Sequence, residues 1–185
     1  MENTLFNEDL SDLKSFLFNA RLASYASNKE PQAVDGIKKF TFSEDKHPKL
    51  LYCDSYVGSV RFLGQEIIFY NPNKTKEAHN DYNPIWSMIY SGFVFPHLEE
   101  SEQEDIFQYL RDALRQIKPN LIPRRGPECL PGKDYIYKNH FFGGKKGDMY
   151  NFSGKEKIFS RDISGLEGEV VYQCEYEGGW LHNYF

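Results

Sequence analysis

The feature that most constrains the fold of this chain is a stretch of sequence that occurs twice. The first copy, YCDSYVGSVRFLGQEII, covers residues 52–68, and the second, YKNHFFGGKKGDMYNFSGKEKI, covers residues 137–158. Aromatic, glycine and glutamate positions keep their order, and only the turn between them is longer in the second copy. The aligned positions include Tyr52 with Tyr137, Asp54 with Asn139, Gly64 with Gly154, and Glu66 with Glu156. Two β-hairpins of similar design are therefore predicted.

The similarity extends to a helix before each hairpin. Apolar residues at helical spacing predict a first helix over residues 10–20, with Asn7 available as the N-cap. A second helix is predicted to begin at Ser101, where Glu104 completes a capping box. The segment LKSFLFNA at 13–20 aligns with IFQYLRDA at 106–113. We therefore interpret the two halves as copies of one unit.

The hydrophobic period after each helix changes from 3.6 to 2 residues, which is typical of strands. Strands are predicted at residues 37–43, 50–57, 62–70 and 84–94, and at 134–142, 147–153, 155–161 and 169–177. Polar loops are predicted at 71–84 and 162–169, and a linker rich in proline and glycine at 118–134. We predict an α+β fold of two pseudo-symmetric repeats, each one helix followed by an antiparallel β-meander. The expected organisation is one domain over 1–185, with repeats at 5–94 and 99–179 and a C-terminal tail at 180–185.

Charge and cysteine content narrow the classes of partner. The chain has 22 basic and 27 acidic residues and a net charge of −5, which disfavours binding to a nucleic-acid backbone. No signal peptide and no apolar run of membrane-spanning length is recognisable, so we predict a cytoplasmic protein without membrane association. Cys53, Cys129 and Cys174 are too widely spaced for a zinc site. We predict no cofactor and no metal.

The repeated glutamates, Glu66 and Glu156, carry the most informative chemistry. A period of two places each of them on a strand face with apolar and aromatic residues, where a bare carboxylate costs several kcal/mol. One interpretation is structural, with a repeated tyrosine pair, either Tyr52 and Tyr137 or Tyr90 and Tyr176, donating a hydrogen bond to the carboxylates. The other is functional, with both carboxylates facing a shared cleft and binding a cation or acting as acid and base.

Aromatic residues make up 16% of the chain, which is typical of β-rich proteins. The alternative is that the rings, and the hydroxyls of the tyrosines among them, line a wet cavity or an interface. Arg124 and Arg125, in the segment PRRGP, are expected to be solvated loop charges, with an anion-binding fork as the alternative. No catalytic residue is predicted. The predicted ligand-binding residues are Tyr56, Glu66, Trp86, Tyr90, Glu156, Tyr172 and Tyr176.

Five segments together resemble a bacterial domain family of uncharacterised function. They are DSYVGSVRFLGQEIIFY, PIWSMIYSG, RRGP, FSGKEKIF and VVYQCEYEGG, and the resemblance spans about Leu10 to Gly179. That family also occurs as the C-terminal half of some XRE-type helix-turn-helix transcriptional regulators. The resemblance implies a sensor that binds a small effector or a partner, and this chain is expected to be the sensing domain alone.

We therefore predict a non-catalytic domain that binds or senses a small-molecule effector in an aromatic-lined cleft. The alternative is a protein-interaction module, such as a homodimer, that uses a sheet edge or the C-terminal tail GGWLHNYF. A carboxylate-dependent hydrolase is the third hypothesis. It would require Glu66 and Glu156 to face each other across a cleft at about 5–10 Å, in contact with solvent.

Overall fold

The described part of the chain forms two helices and nine strands. The computed structural model describes residues 10–27, 29–72, 82–143 and 149–181. The helices are α1 (Leu10–Ala23) and α2 (Glu100–Arg115), and a short 3-10 turn follows at Pro119–Leu121. The strands are β1 (Gln32–Val34), β2 (Ile37–Phe42), β3 (Leu50–Gly58), β4 (Arg61–Tyr70), β5 (Asn83–Val94), β6 (Cys129–Pro131), β7 (Tyr135–Gly143), β8 (Asn151–Arg161) and β9 (Glu167–Trp180).

All nine strands belong to one antiparallel sheet, whose order is β1-β2-β3-β4-β5-β9-β8-β7-β6. Each half of the chain forms a meander of consecutive strands, and the two meanders meet where β5 pairs with β9. At this junction Tyr90 lies opposite Tyr176. The predicted α+β class and antiparallel sheet are confirmed.

Both helices pack on one face of the sheet and share one hydrophobic core with it. Leu13, Phe16 and Leu17 from α1 are fully buried. Ile106 and Leu110 from α2 are each only 1% exposed. The strand residues that complete this core include Tyr52, Ile68, Trp86, Tyr137, Ile158 and Tyr172. Neither α1 nor α2, the helices of the described residues, combines the length and apolarity that a membrane span requires.

The second helix begins earlier than predicted. Helix α2 starts at Glu100 rather than Ser101, and the residue before it serves as the cap. The backbone N–H of Glu99 donates to the Glu102 carboxylate at 3.0 Å, so Glu102 takes the role predicted for Glu104. An acidic side chain in the first turn satisfies an unpaired backbone donor wherever it reaches one, which shifts the start by one residue. The predicted N-cap at Asn7 lies outside the described residues.

Several strand boundaries also differ from the predicted ones. The short edge strands β1 and β6 were not predicted, and β6 lies inside the predicted linker 118–134. Strand β9 begins at Glu167, inside the predicted loop 162–169, and it extends to Trp180. Residues 73–81 of the predicted loop 71–84, 147–148 of the predicted strand 147–153 and 182–185 of the predicted tail lie outside the described residues.

The predicted separation of strands 147–153 and 155–161 is wrong, because β8 runs through Gly154 without a break. Gly154 is a packing notch for an aromatic ring. A Cβ placed there would lie less than 3.0 Å from ring atoms of Tyr176, and a Cβ at Gly64 would meet Tyr90 in the same way. The absent side chain therefore allows the ring on the neighbouring strand to lie flat on the sheet.

This notch gives a stability prediction. We expect Gly154→Ala to lower the free energy of unfolding in urea by about 1–3 kcal/mol, because the new methyl overpacks against Tyr176. Ser153→Ala, on the adjacent position of the same strand, is the matched control and should change stability little. In a Tyr176→Ala background the added cost of Gly154→Ala should largely disappear. An unchanged cost in that background would contradict the notch.

Candidate functional site

A cavity of about 580 Å³ lies between the helices and the first half of the sheet. Residues from α1, α2 and β2 to β5 contribute to its lining. Its walls are aromatic: Tyr25 meets Tyr56 edge-on with ring centroids 6.2 Å apart, and Phe62 lies 6.4 Å from Phe107. The size and apolar walls are those of a small-molecule site.

The floor of the cavity carries a buried carboxylate, that of Asp54. Its side chain is 3% exposed and accepts a hydrogen bond of 2.6 Å from the hydroxyl of Tyr90. Among the described residues, no basic side chain approaches it within 4.0 Å. The pKa of Asp54 is raised to about 7, chiefly by burial and also by the nearby carboxylate of Glu66, while the Tyr90 hydrogen bond and the guanidiniums of Arg125 and Arg21 oppose the rise. Asp54 is therefore partly protonated near neutral pH.

Glu66 lies beside Asp54 and is held by an arginine of α1. The Arg21 Nε donates to Glu66 Oε2 at 2.8 Å, and both side chains are buried. The other side of the guanidinium donates to the carbonyls of Pro123 and Arg124 at 2.8 and 2.9 Å. One side chain thus ties α1, the sheet and the segment after α2 together.

Glu156 is the counterpart in the second half, and it is fully buried. The hydroxyl of Tyr137 donates to its Oε1 at 2.7 Å, and Arg125 Nη1 lies 3.8 Å from its Oε2. The Arg125 guanidinium also stacks on Tyr90, with its carbon 4.6 Å from the ring centroid. Arg125 therefore joins the second half to the floor of the cavity in the first.

The hydrogen-bond network of the second half is closed. Tyr176 donates to Asn139 Oδ1 at 2.8 Å, and Asn139 Nδ2 donates to the Tyr137 oxygen at 3.1 Å. The hydroxyl of Tyr137 in turn donates a hydrogen bond to Glu156. Every side chain in this chain of contacts therefore has a partner.

The corresponding network of the first half is open. The hydroxyl of Tyr52 is fully buried and makes no hydrogen bond of standard geometry with any described residue, although Ser24 lies beside it. Burial, with the carboxylates of Glu66 and Asp54, raises its pKa well above the usual value, so the phenol stays neutral. An unsatisfied buried hydroxyl costs about 1–3 kcal/mol, which a bound group would offset.

The predicted ligand-binding residues fall into two groups. Tyr56, Glu66 and Tyr90 line the cavity. The other four lie in the core with exposures of 0–2%: Trp86, Glu156, Tyr172 and Tyr176. The proposed hydrogen bond between glutamate and tyrosine is present in the second half, whereas Glu66 in the first half bonds to Arg21 instead.

The sequence analysis missed four residues of the floor: Arg21, Tyr52 in its unpaired role, Asp54 and Arg125. Two signals were available, since Arg21 lies four residues after buried Leu17, and Asp54 alternates with inward-facing neighbours. Arg125 was expected to be solvated and is 7% exposed, so that expectation is wrong. Loop residues have no hydrophobic periodicity that would predict their burial. The proximity of Arg125 to Glu156 is visible only in the folded structure.

The ion pair of Arg21 and Glu66 gives a prediction for stability. We expect Glu66→Gln to lower the free energy of unfolding by about 3–5 kcal/mol, because the buried guanidinium loses its countercharge. Glu175→Gln is the matched control, since Glu175 pairs with Lys155 on the exposed face and should contribute no more than about 1 kcal/mol. Urea denaturation of both variants measures the difference, and equal losses would contradict the role given to Arg21.

The raised pKa of Asp54 gives a prediction for the pH dependence of stability. An unfolded aspartate has a pKa of about 3.9. Between about pH 4 and pH 7 the folded state therefore binds a proton that the unfolded state has released. We expect the free energy of unfolding to fall as pH rises through this window, and Asp54→Asn to remove that part of the slope. Asp45→Asn, at an exposed position, should keep the wild-type slope, and a wild-type slope in Asp54→Asn would contradict the assignment.

Comparison with protein families gives a match over residues 54–181 to the family described as Domain of unknown function (DUF5680). The match begins at Asp54 and includes Glu66, Tyr90 and Arg125, while Arg21 precedes it. Searches of curated proteins and of solved structures gave no match. Because the matched residues make up more than half of the chain, the protein belongs to the DUF5680 family.

Proposed function

We propose that this domain binds a small-molecule effector, without catalysis, in the cavity between the helices and the first half of the sheet. The observation that carries the proposal is the unfilled hydrogen-bonding capacity of the floor. Asp54 and Tyr52 are buried polar groups below aromatic walls. Asp54 accepts from Tyr90, but unlike Asn139 it makes no hydrogen bond with the neighbouring phenol, that of Tyr52. A few polar groups at the end of an apolar cavity are the usual composition of a ligand site.

A hydrolase that uses both repeated glutamates is not supported. Glu156 is fully buried and already accepts hydrogen bonds from Tyr137 and Tyr172. Glu66 is bound to Arg21. Because Glu156 is sealed from solvent and lies outside the cavity lining, the two carboxylates do not face each other across a solvent-filled cleft as an acid–base pair requires.

We also propose that the chain contains an internal duplication, in which each half consists of one helix and one meander. Its support is the register of β5 against β9, where Met88 faces Gly178 and Gly92 faces Cys174. When the sequences of the two halves are aligned, Met88 corresponds to Cys174 and Gly92 to Gly178. Exchanging the halves therefore converts the pair Met88–Gly178 into the pair Cys174–Gly92, and both pairs are present on either side of Tyr90 and Tyr176. The hydrogen bonds from these tyrosines to Asp54 and Asn139 follow the same exchange.

The proposed biological setting rests on the resemblance to domains at the C-terminal half of XRE-type regulators. In that setting the domain would be the sensor of a cytoplasmic bacterial protein. An effector bound below the helices would change the relative stability of states that differ in how α1 and α2 sit on the sheet.

A second candidate function is protein interaction, and the sheet face opposite the helices favours it. A groove on this face is lined by apolar side chains that are exposed to solvent: Leu63 is 60% exposed, Ile89 50% and Phe142 62%. This surface differs from the predicted sheet edge and tail. Exposed apolar clusters of this kind are typical of interaction sites.

A ligand screen distinguishes the effector-binding function from the protein-interaction function. We expect metabolites, nucleotides or cationic drugs that bind the cavity to raise the melting temperature by mass action. Phe62→Leu should weaken binding of a hit about three- to tenfold, because the ring lines the cavity. Phe69→Leu is the matched control on the same strand, with a half-buried ring outside the cavity lining. The screen contradicts the proposal if no compound binds, and a dimeric mass by light scattering that Ile89→Lys abolishes would then favour protein interaction.

A further inference from the structure

The two halves place different groups at the same point of the floor. In the second half Asn139 uses its amide to link Tyr176 with Tyr137. In the first half the corresponding residue is Asp54, which accepts from Tyr90 but has no proton to donate when ionised. When Asp54 is ionised, no described residue donates a hydrogen bond that links its carboxylate to Tyr52, although Ser24 lies beside the Tyr52 hydroxyl.

The cavity lining carries as many basic as acidic residues, and the buried charges of its floor show which kind of donor fits there. The basic residues are Arg21, Lys38, Arg111 and Arg125, and the acidic ones are Asp54, Glu66, Glu104 and Asp105. Glu66 is neutralised by Arg21 and Glu156 by Arg125, so both buried guanidiniums are already paired. Asp54 has no basic partner among the described residues within 4.0 Å, and the floor therefore keeps one uncompensated carboxylate when Asp54 ionises. A buried carboxylate is stabilised most by a cation that also donates hydrogen bonds.

The aromatic walls accept cations in the same region. The Lys38 ammonium lies 5.5 Å from the centroid of Tyr56, at a position that lines the cavity. The Arg125 guanidinium lies over Tyr90 in the floor. Aromatic faces attract cations electrostatically, and more strongly where water is excluded.

We propose that the cavity takes a protonated organic amine with an aromatic or apolar body, its ammonium group bonded to the Asp54 carboxylate and to the oxygen of Tyr52. This inference rests on the proposed binding function and names the chemical class of its ligand. The walls around Phe62 and Phe107 hold the body, and the two buried ion pairs hold the floor in place. The amine replaces the proton that Asp54 otherwise carries.

Binding should therefore depend on pH. The charged and titratable groups that face Asp54 are Glu66 on β4, Tyr90 on β5, Tyr52 and Tyr56 on β3, Arg21 on α1 and Arg125 in the segment after α2. Lys38 on β2 and Glu104, Asp105 and Arg111 on α2 line the same cavity. The tyrosines remain neutral because burial raises their pKa well above the usual value. Asp54 is then the group that titrates near neutral pH, and a cation binds about tenfold more tightly at pH 8 than at pH 6.

The test compares probes with similar bodies and different head groups. Phenethylamine and tryptamine are titrated into the full chain by calorimetry, beside 2-phenylethanol, 3-phenylpropionate and indole-3-acetate. We expect the amines to bind at least about tenfold more tightly than the alcohol or the acids, and to release protons on binding at pH 7. Asp54→Asn should remove this preference, while Asp45→Asn should retain it.

Two further outcomes keep the inference separate from the function on which it rests. Equal binding of the alcohol or the acids, or an undiminished preference in Asp54→Asn, overturns the amine assignment and leaves the cavity a binding site. No binding of either amine at millimolar concentration also overturns it, and a broader screen then decides the function itself.

The lysine at the mouth supplies a variant with the opposite expected sign. Lys38 places a positive charge over the ring of Tyr56 and donates to the Gly58 carbonyl at 3.3 Å. We expect Lys38→Gln to increase amine affinity about two- to fivefold, since it removes a competing cation at a half-exposed position. A decrease in amine affinity would contradict the expected competition between Lys38 and the bound amine.

Discussion

The structure depends on two arginine–glutamate pairs that are buried between the sheet and the layer above it. Arg21 joins α1 to Glu66 on β4, and Arg125 joins the segment after α2 to Glu156 on β8. Each arginine also contacts a sulfur atom of the central strand pair, Met88 or Cys174. Removing one charge from such a pair leaves the other unpaired in a medium of low polarity, so the pairs act as fixed points around which the core is arranged.

The central strands β5 and β9 show how the same fold makes room for large rings on a flat sheet. Tyr90 and Tyr176 lie opposite each other, and each covers a glycine of the next strand outward, Gly64 or Gly154. The hydroxyl of each ring then reaches one strand further, to Asp54 or Asn139. Ring, notch and polar acceptor therefore form one unit that spans three strands in either half, and this unit fixes the floor of the cavity.

Much of the fold could be predicted from the sequence, because alternation and helical spacing report burial directly. The order of helices and meanders and the inward position of Glu66 followed from these periods. The sequence did not distinguish a glycine that breaks a strand from one that accommodates a ring, since the ring belongs to a strand about 22 to 26 residues away. The cavity floor was harder still, because Arg125 reaches it from a loop and Arg21 from the last turn of a helix. Contacts of that range have no signature in local pattern.

The comparison of Asp54 with Asn139 bears most directly on function. Both side chains lie on the inward face of a hairpin, opposite Glu66 or Glu156, and both accept a tyrosine hydroxyl. Asn139 shows that a neutral amide satisfies this position and adds a second hydrogen bond to the neighbouring phenol. An aspartate at the equivalent point gives up that bond and places a charge next to Glu66, which lowers stability when it ionises. The carboxylate is therefore a poor choice for packing alone, and it becomes a favourable one when a cationic group enters the cavity above it.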